Sequence, residues 1–216
     1  MKNTSAVLFD LDGTLIDSEF FYFSNWQPIL SAEFGLEISY EDWIEFFAGH
    51  TLVANVQLLA TKWGIQTTQE FMWDATRANY AKSDMTKINL MPFAREILTA
   101  LKEKGVRLGL VTSSYRTTVD AVLGKHQLLD FFEIFVTREN VSQAKPNPEP
   151  YLLASSLLGI TPDELIAIED TSTGCASAKA AGLHCIAVSQ HESERAKLTA
   201  ADRLCYSMDE VLKMLI

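Results

Sequence analysis

Five short apolar runs that do not alternate with polar residues constrain the fold of this chain more than any other feature. They are Ala6–Phe9, Val106–Val111, Phe132–Val136, Leu165–Ile168 and His184–Val188. A strand that is apolar on both faces is covered on both faces, which is typical of a parallel sheet with helices on each side. The runs therefore predict the central strands of a doubly wound α/β fold.

Segments with a helical period separate these runs. Phe93, Ile97, Leu98 and Leu101 share one face of a helix in the segment that precedes the second run. Strand and helix patterns that alternate in this way predict a sheet whose strands are joined by crossover helices.

One interval interrupts the alternation. Residues 17–86 have helical patterns throughout, and all four tryptophans of the chain lie there. We predict that this interval forms a separate helical bundle inserted after the first strand. Residues 1–16 and 87–216 then form the α/β core.

Composition excludes several functional classes. The 216 residues carry a formal net charge of -10, which disfavours nucleic acid and anionic membranes as partners. Three cysteines without CxxC spacing predict reduced, buried thiols rather than disulfides or a zinc site.

No apolar stretch is long enough for a membrane span, and the apolar run near the start is too short for a signal peptide. We expect a cytoplasmic protein. The oligomeric state stays open, with a monomer favoured.

Acidic pairs mark the ends of two predicted strands. Asp10 and Asp12 follow the first run, and Glu169 and Asp170 follow the fourth. Ligands bind at the carboxyl ends of strands in open α/β sheets. Four carboxylates at that edge repel one another unless a cation lies among them, and oxygen ligands of this kind select Mg²⁺. The sequence therefore predicts a magnesium site.

Two further segments add groups that bind phosphate. Thr112, Ser113 and Ser114 follow the second run and precede a helix, where hydroxyls and backbone N–H groups bind anions. Lys145 precedes two prolines in Lys-Pro-Asn-Pro, and its ammonium group can offset phosphoryl charge. A carboxylate beside such groups can attack phosphorus and form an aspartyl phosphate.

Together these motifs resemble those of the haloacid dehalogenase superfamily, whose core is Rossmann-like. The four matching segments, in family order, are Phe-Asp-Leu-Asp-Gly-Thr-Leu at 9–15, Val-Thr-Ser-Ser at 111–114, Lys145-Pro146 and Ile168-Glu169-Asp170. The helical insert resembles the cap of the β-phosphoglucomutase-like phosphatase subgroup.

The resemblance implies a role for each core residue. Asp10 is the implied nucleophile, and Asp12 is the implied general acid and then base. Thr112 and Ser113 hold the phosphoryl oxygens, and Lys145 bridges the nucleophile and the phosphoryl group.

The resemblance also implies the magnesium ligands. They are the Asp10 carboxylate, the Asp12 backbone carbonyl, Asp170 and Glu169, the last either directly or through water. The side chain of Asp12 is then free of the metal, as a proton donor must be.

The cap is where the sequence departs from the mutases of that subgroup. Gly49 and His50 are candidate substrate contacts. Leu52 stands where those mutases carry an arginine, and Tyr22 stands where they carry a histidine. Because leucine cannot clamp a second phosphate group, the departure favours hydrolysis over phosphoryl transfer within a sugar bisphosphate.

We therefore expect a Mg²⁺-dependent phosphomonoester hydrolase that acts on a small phosphorylated metabolite, with a sugar phosphate as one candidate. A β-phosphoglucomutase-type mutase is the alternative enzyme. A dehalogenase is less favoured, since those relatives lack the second aspartate. A non-enzymatic phospho-acceptor similar to response-regulator receivers also remains open, although receivers are about half this length and have no helical insert.

Overall fold

In the computed structural model, residues 4–48, 50–190 and 192–216 are described. They contain eight strands: β1 (Ala6–Phe9), β2 (Ile16–Asp17), β3 (Asn89–Leu90), β4 (Arg107–Val111), β5 (Ile134–Val136), β6 (Leu165–Glu169), β7 (His184–Val188) and β8 (Arg203–Cys205). Their helices are α1 (Glu19–Phe34), α2 (Tyr40–Phe46), α3 (Leu52–Trp63), α4 (Gln69–Tyr80), α5 (Ala94–Glu103), α6 (Arg116–Lys125), α7 (Glu149–Leu158), α8 (Ser172–Ala180), α9 (Glu192–Arg195) and α10 (Met208–Leu215). The chain divides into two compact units, Met1–Asp17 with Ile88–Ile216, and Ser18–Lys87.

The first unit is built on a parallel sheet of six strands in the order β5-β4-β1-β6-β7-β8. Every pairing in this sheet is parallel. All four residues of β1 are buried, because β1 lies at the centre of the sheet and helices cover both of its faces. This confirms the predicted doubly wound α/β fold.

Side chains from alternate positions pack on opposite sides of the sheet. Ala6 and Leu8 of β1 share one apolar cluster with Tyr151 of α7 and Cys175 of α8. Val7 and Phe9 point to the opposite face, where α5 and α10 pack against each other. All three cysteines are free and buried, as predicted.

The predicted helix containing Phe93 begins one residue later than its apolar pattern suggests. Phe93 precedes α5, has a positive φ of 65° and is 44% exposed. The residue therefore ends the preceding turn instead of joining Ile97 and Leu98 in the core.

The second unit contains α1 to α4 around an aromatic core. The ring of Phe47 stacks between those of Trp43 and Trp63, with centroid distances of 5.3 and 5.4 Å. Thr51 and Thr68 begin α3 and α4 by accepting backbone hydrogen bonds from the first helical turn. Aromatic side chains thus lie at the centre of this small unit, together with smaller apolar residues such as Ile29 and Leu30. Nowhere in the described segments is a helix both long and apolar enough to cross a membrane.

Candidate active site

The acidic residues meet because β1 and β6 are neighbours in the sheet. Phe9 pairs with Ile168, and the backbone N–H of Asp10 donates to the carbonyl of Ile168 at 3.0 Å. The chain leaves β1 toward β4 on one side and leaves β6 toward β7 on the other. Connections that diverge in this way open a crevice at the carboxyl ends of the two strands. Asp10 and Glu169 lie at this switch point.

The turn after β1 places Asp170 against the backbone. Gly13 has a positive φ of 74°, and a Cβ atom there would lie 2.0 Å from Oδ2 of Asp170. Thr14 donates from Oγ1 to Oδ1 of Asp170 at 3.3 Å. Only glycine allows both this backbone conformation and the close approach of the carboxylate.

Lys145 joins the two acidic strand ends. Its Nζ atom donates to Oδ1 of Asp10 at 2.6 Å, to the carbonyl of Val111 at 2.9 Å and to Oε1 of Glu169 at 2.5 Å. Burial by itself lowers the pKa of Lys145, but the charges of Asp10 and Glu169 outweigh burial and raise that pKa. The buried ammonium group therefore stays charged and balances one of the two carboxylates.

Glu169 is fully buried and uses its two oxygens differently. Oε1 accepts from Lys145 and also from the hydroxyl of Tyr151 at 2.5 Å. Oε2 receives no hydrogen bond from any described residue, and Gly174 lies against it, since a Cβ atom there would be only 1.9 Å away. A buried carboxylate oxygen without a donor is costly unless a cation binds it.

The donor set fits a magnesium ion. One carboxylate oxygen each from Asp10, Glu169 and Asp170 lie within 4.8 Å of one another. Burial raises the pKa of Asp10 to about 8, although Lys145 opposes the shift. A divalent cation at this point would favour the ionised carboxylate and would satisfy Oε2 of Glu169. These three residues could therefore hold the metal.

The hydroxyl loop after β4 is held by its own hydrogen bonds. Thr112 is buried, its N–H donates to the carbonyl of Val136, and its Oγ1 accepts from the N–H of Ser114 at 3.0 Å. Ser113 is exposed. Ser114 donates from Oγ to Oδ2 of Asp12 at 2.6 Å, so the loop contacts the second aspartate directly.

The hydroxyl loop precedes α6, with Tyr115 between Ser114 and Arg116, the first residue of the helix. The N–H of Arg116 is already used by the carboxylate of Glu139, at 3.0 and 3.2 Å. The carboxylate of Glu139 therefore occupies this helix start, and the residues predicted to bind phosphate lie before it in the loop.

Two contacts of this site are not predicted from the sequence, namely the hydrogen bond from Tyr151 to Glu169 and the one from Ser114 to Asp12. A hydroxyl on a buried helix face needs a polar partner, and this requirement is the signal that points to Tyr151.

The candidate contacts of the helical unit lie before α3. His50 is exposed, and its N–H donates to the carbonyl of Phe47 at 3.2 Å. Gly49 lies outside the described residues. Tyr22 and Leu52 pack against the aromatic core of the unit, so the two positions that depart from the mutases serve packing here.

This chain is similar to a known family and to several characterised proteins. Residues 7–188 match the family described as Haloacid dehalogenase-like hydrolase. Hexitol phosphatase A from Escherichia coli is 32% identical over 211 residues, which cover 94% of this chain and 91% of that protein. Beta-phosphoglucomutase from Bacillus subtilis is 28% identical over 194 residues, covering 86% of this chain and 83% of that protein.

The structure of this chain is also similar to a solved crystal structure. The crystal structure of a HAD family hydrolase from Deinococcus radiodurans, with bound phosphate and sodium, has a TM-score of 0.83 and 29% identity. The match covers 100% of this chain and 96% of that chain. The resemblance inferred from the four motifs is confirmed. The chain belongs to the haloacid dehalogenase-like hydrolase family and is an enzyme of its phosphatase type.

Proposed function

We propose that this protein is a Mg²⁺-dependent phosphomonoester hydrolase that acts on a small phosphorylated metabolite through an aspartyl phosphate on Asp10. The observation that carries the proposal is the buried contact of Lys145 with both Asp10 and Glu169. A charged lysine and a cluster of carboxylates around one nucleophile suit the transfer of a dianionic phosphoryl group.

In the first step, the carboxylate of Asp10 attacks phosphorus and the bond from phosphorus to the ester oxygen breaks. Asp12 gives its proton to the departing alkoxide, which leaves as an alcohol. Lys145 stabilises the charge that develops on the phosphoryl oxygens, and the hydroxyl loop of Thr112 and Ser113 orients them.

In the second step, a water molecule attacks phosphorus and the bond to the Asp10 oxygen breaks. Asp12, now a carboxylate, takes the proton from that water. Inorganic phosphate leaves, and both aspartates return to their starting states.

The metal belongs to the same proposal. Asp10, Glu169 and Asp170 would hold it, with the backbone carbonyl of Asp12 as a further ligand. A bound Mg²⁺ supplies electrostatic stabilisation of phosphoryl oxygens.

The substrate class rests on the relatives. The name of hexitol phosphatase A refers to the phosphate of a sugar alcohol, and this relative matches nearly the whole chain. We propose a sugar or polyol phosphate as the substrate. The helical unit, with His50 and Gly49 as candidate contacts, is the proposed cap that selects the group esterified to phosphate.

The similarity to a beta-phosphoglucomutase makes phosphoryl transfer within a sugar the second candidate. The two activities differ in their products. A mutase converts a hexose 1-phosphate into its isomer faster than it releases phosphate, whereas a hydrolase releases phosphate alone.

A screen of phosphorylated metabolites tests the proposal, with released phosphate and isomerised sugar phosphate measured with and without Mg²⁺. We expect phosphate release that depends on Mg²⁺ and that Asp10→Asn abolishes. Asp163→Asn, on an exposed residue just before β6 and at the opposite end of that strand from Glu169, is the matched control and should keep the parent rate. Metal-independent hydrolysis, or parent-like turnover by Asp10→Asn, would contradict the proposal.

A further inference from the structure

Ser114 connects two loops that carry different parts of the site. Its Oγ atom donates to Oδ2 of Asp12 at 2.6 Å. Asp12 lies in the loop after β1, and Ser114 lies in the loop after β4. The two strands are paired in parallel, with Phe9 opposite Leu110, so the loops leave the same edge of the sheet side by side.

Ser114 is fixed at both of its backbone groups. Its N–H donates to Oγ1 of Thr112 at 3.0 Å, and its carbonyl accepts from the N–H of Arg138 at 3.0 Å. Thr112 is itself buried and hydrogen-bonded to β5 through the carbonyl of Val136. The hydroxyl of Ser114 therefore projects from backbone that the sheet holds in place.

The loop that carries Asp12 is equally restrained. The N–H of Gly13 donates to the carbonyl of Ile16 at 2.9 Å, and the N–H of Ile16 donates to the carbonyl of Leu11 at 3.0 Å. Asp12 also forms a bridge with Ile16. A hydrogen bond between two restrained loops fixes a side-chain rotamer more strongly than one between mobile groups, since little conformational entropy is lost in forming it.

We propose that Ser114 is a positioning residue for proton transfer by Asp12, an inference that rests on the proposed function. The hydroxyl keeps its own proton throughout and donates a hydrogen bond to Oδ2. Oδ1 is then the oxygen that carries the proton to the departing ester oxygen. Ser114 thus orients the carboxyl group of Asp12, while the neighbouring Ser113 binds phosphoryl oxygens.

Positioning of Asp12 and binding of the phosphoryl group can be distinguished by changing the leaving group. A sugar or glycerol alkoxide is a strong base and must be protonated as it departs, whereas a dinitrophenolate departs without a proton. If the Asp12 carboxyl group is no longer held in position, hydrolysis of alkyl phosphates slows, whereas hydrolysis of dinitrophenyl phosphate is little affected. Loss of a phosphoryl contact slows both substrates to the same extent, because both carry the same phosphoryl group.

The experiment compares glycerol phosphate with dinitrophenyl phosphate in steady-state assays of the full-length protein. For Ser114→Ala we expect kcat on glycerol phosphate to fall about 10- to 100-fold, with kcat on dinitrophenyl phosphate lowered less than about threefold. Ser114→Thr retains the hydroxyl and should restore most of the rate on glycerol phosphate. Ser113→Ala, the matched change one residue away, should lower both rates by a similar factor.

An equal loss on both substrates for Ser114→Ala, or no recovery with Ser114→Thr in a variant that melts as the parent does, overturns the positioning role. The proposed function fails by a different result, namely parent protein that hydrolyses neither ester in the presence of Mg²⁺. The two failures are therefore distinguishable.

Discussion

Lys145 and Asp10 form an ion pair with Nζ 2.6 Å from Oδ1, and both side chains are almost completely shielded from water. A buried ion pair is stable only where geometry is good and every remaining polar atom finds a partner. Lys145 meets this condition, because its other two hydrogen bonds go to Val111 and Glu169. The lysine therefore holds Asp10, the proposed nucleophile, and also stabilises the acidic cluster.

Replacing Lys145 by methionine tests both consequences. The change removes the cation and leaves Asp10 and Glu169 buried without it, so we expect a loss of about 3–5 kcal/mol in the free energy of unfolding. Turnover should fall by a factor of about 1,000, since no cation then offsets the transferred phosphoryl group. Urea titration and phosphate release measure the two effects.

Lys213→Met is the matched control for this variant. Lys213 pairs with Asp209 at 2.6 Å on the exposed surface of α10, where an ion pair contributes little. We expect parent-like turnover and little change in the free energy of unfolding. A Lys145→Met variant that matched this control in both measurements would contradict the role of the buried pair.

Magnesium should stabilise the folded protein in the absence of any substrate. A ligand that binds only the folded state adds about 2.7 kcal/mol at a concentration 100 times its Kd. We expect the melting temperature of the parent to rise as MgCl₂ is added at constant ionic strength, because the ion fills the cluster of Asp10, Glu169 and Asp170. EDTA should reverse the rise.

Asp170→Asn should remove most of this stabilisation, because a neutral amide oxygen is a weaker ligand than a carboxylate. Asp163→Asn again serves as the control and should retain the full magnesium-dependent shift. Equal shifts in the two variants would mean that the ion acts elsewhere on the chain.

The strand-end acids could be predicted because covalent neighbours determine their position. Asp10 directly follows β1 and Glu169 ends β6, so recognition of the strands already places both residues at the same edge of a parallel sheet. The contact of Tyr151 with Glu169 could not be predicted in this way, because it depends on the rotation of α7 about its axis and on the distance of α7 from β6. Tertiary packing determines both quantities, and the spacing of apolar residues in the sequence gives neither.

The same distinction applies to the strands. β1 and β7 have the predicted limits, since β1 is apolar throughout and β7 is apolar after its first residue, His184. β8 was missed because it is a short strand at the edge of the sheet, where Arg203 and Leu204 are exposed and only Cys205 is buried. The two-residue strands β2 and β3 were also missed, because pairs so short have no periodicity.

A glycine in α8 provides a sharp test of the cluster. Gly174 lies against Glu169, and an added Cβ atom would approach Oε2, Cδ and Oε1 of the carboxylate to between 1.9 and 2.4 Å. Gly174→Ala must therefore displace the carboxylate. We expect turnover to fall at least about 10-fold and the magnesium-dependent rise in melting temperature to shrink, as for other displaced ligand groups.

Gly124→Ala makes the same chemical change in another helix without a clash. The added Cβ atom would lie 3.5 Å from Leu129, at ordinary van der Waals distance. Because alanine favours a helix more than glycine does, this variant should gain about 0.5–1 kcal/mol in stability and keep the parent activity. Similar activities of the two variants would show that Glu169 tolerates displacement.

Asp202 links the last two strands of the sheet through groups outside the active site. Its Oδ2 accepts from the N–H of Cys185 at 2.7 Å, and both carboxylate oxygens accept from Lys179. His184 lies beside it, with Nδ1 3.4 Å from Oδ2. Burial raises the pKa of Asp202, but these hydrogen bonds and charges outweigh it and hold the pKa below its usual value of 3.8.

The lowered pKa predicts how the contribution of Asp202 to stability varies with pH. The unfolded chain binds this proton more tightly than the folded protein, so the contribution is complete above pH 3.8 and is lost as the pH falls through the lower folded value. We expect Asp202→Asn to cost about 1 kcal/mol at pH 7, after allowance for partial solvent screening of the pair with Lys179. In urea titrations from pH 7 to pH 3, the difference between parent and variant should stay constant at first and narrow below about pH 4. A difference that persists unchanged at pH 3, or that widens there, would show that the charge of Asp202 is not what holds β7 and β8 together.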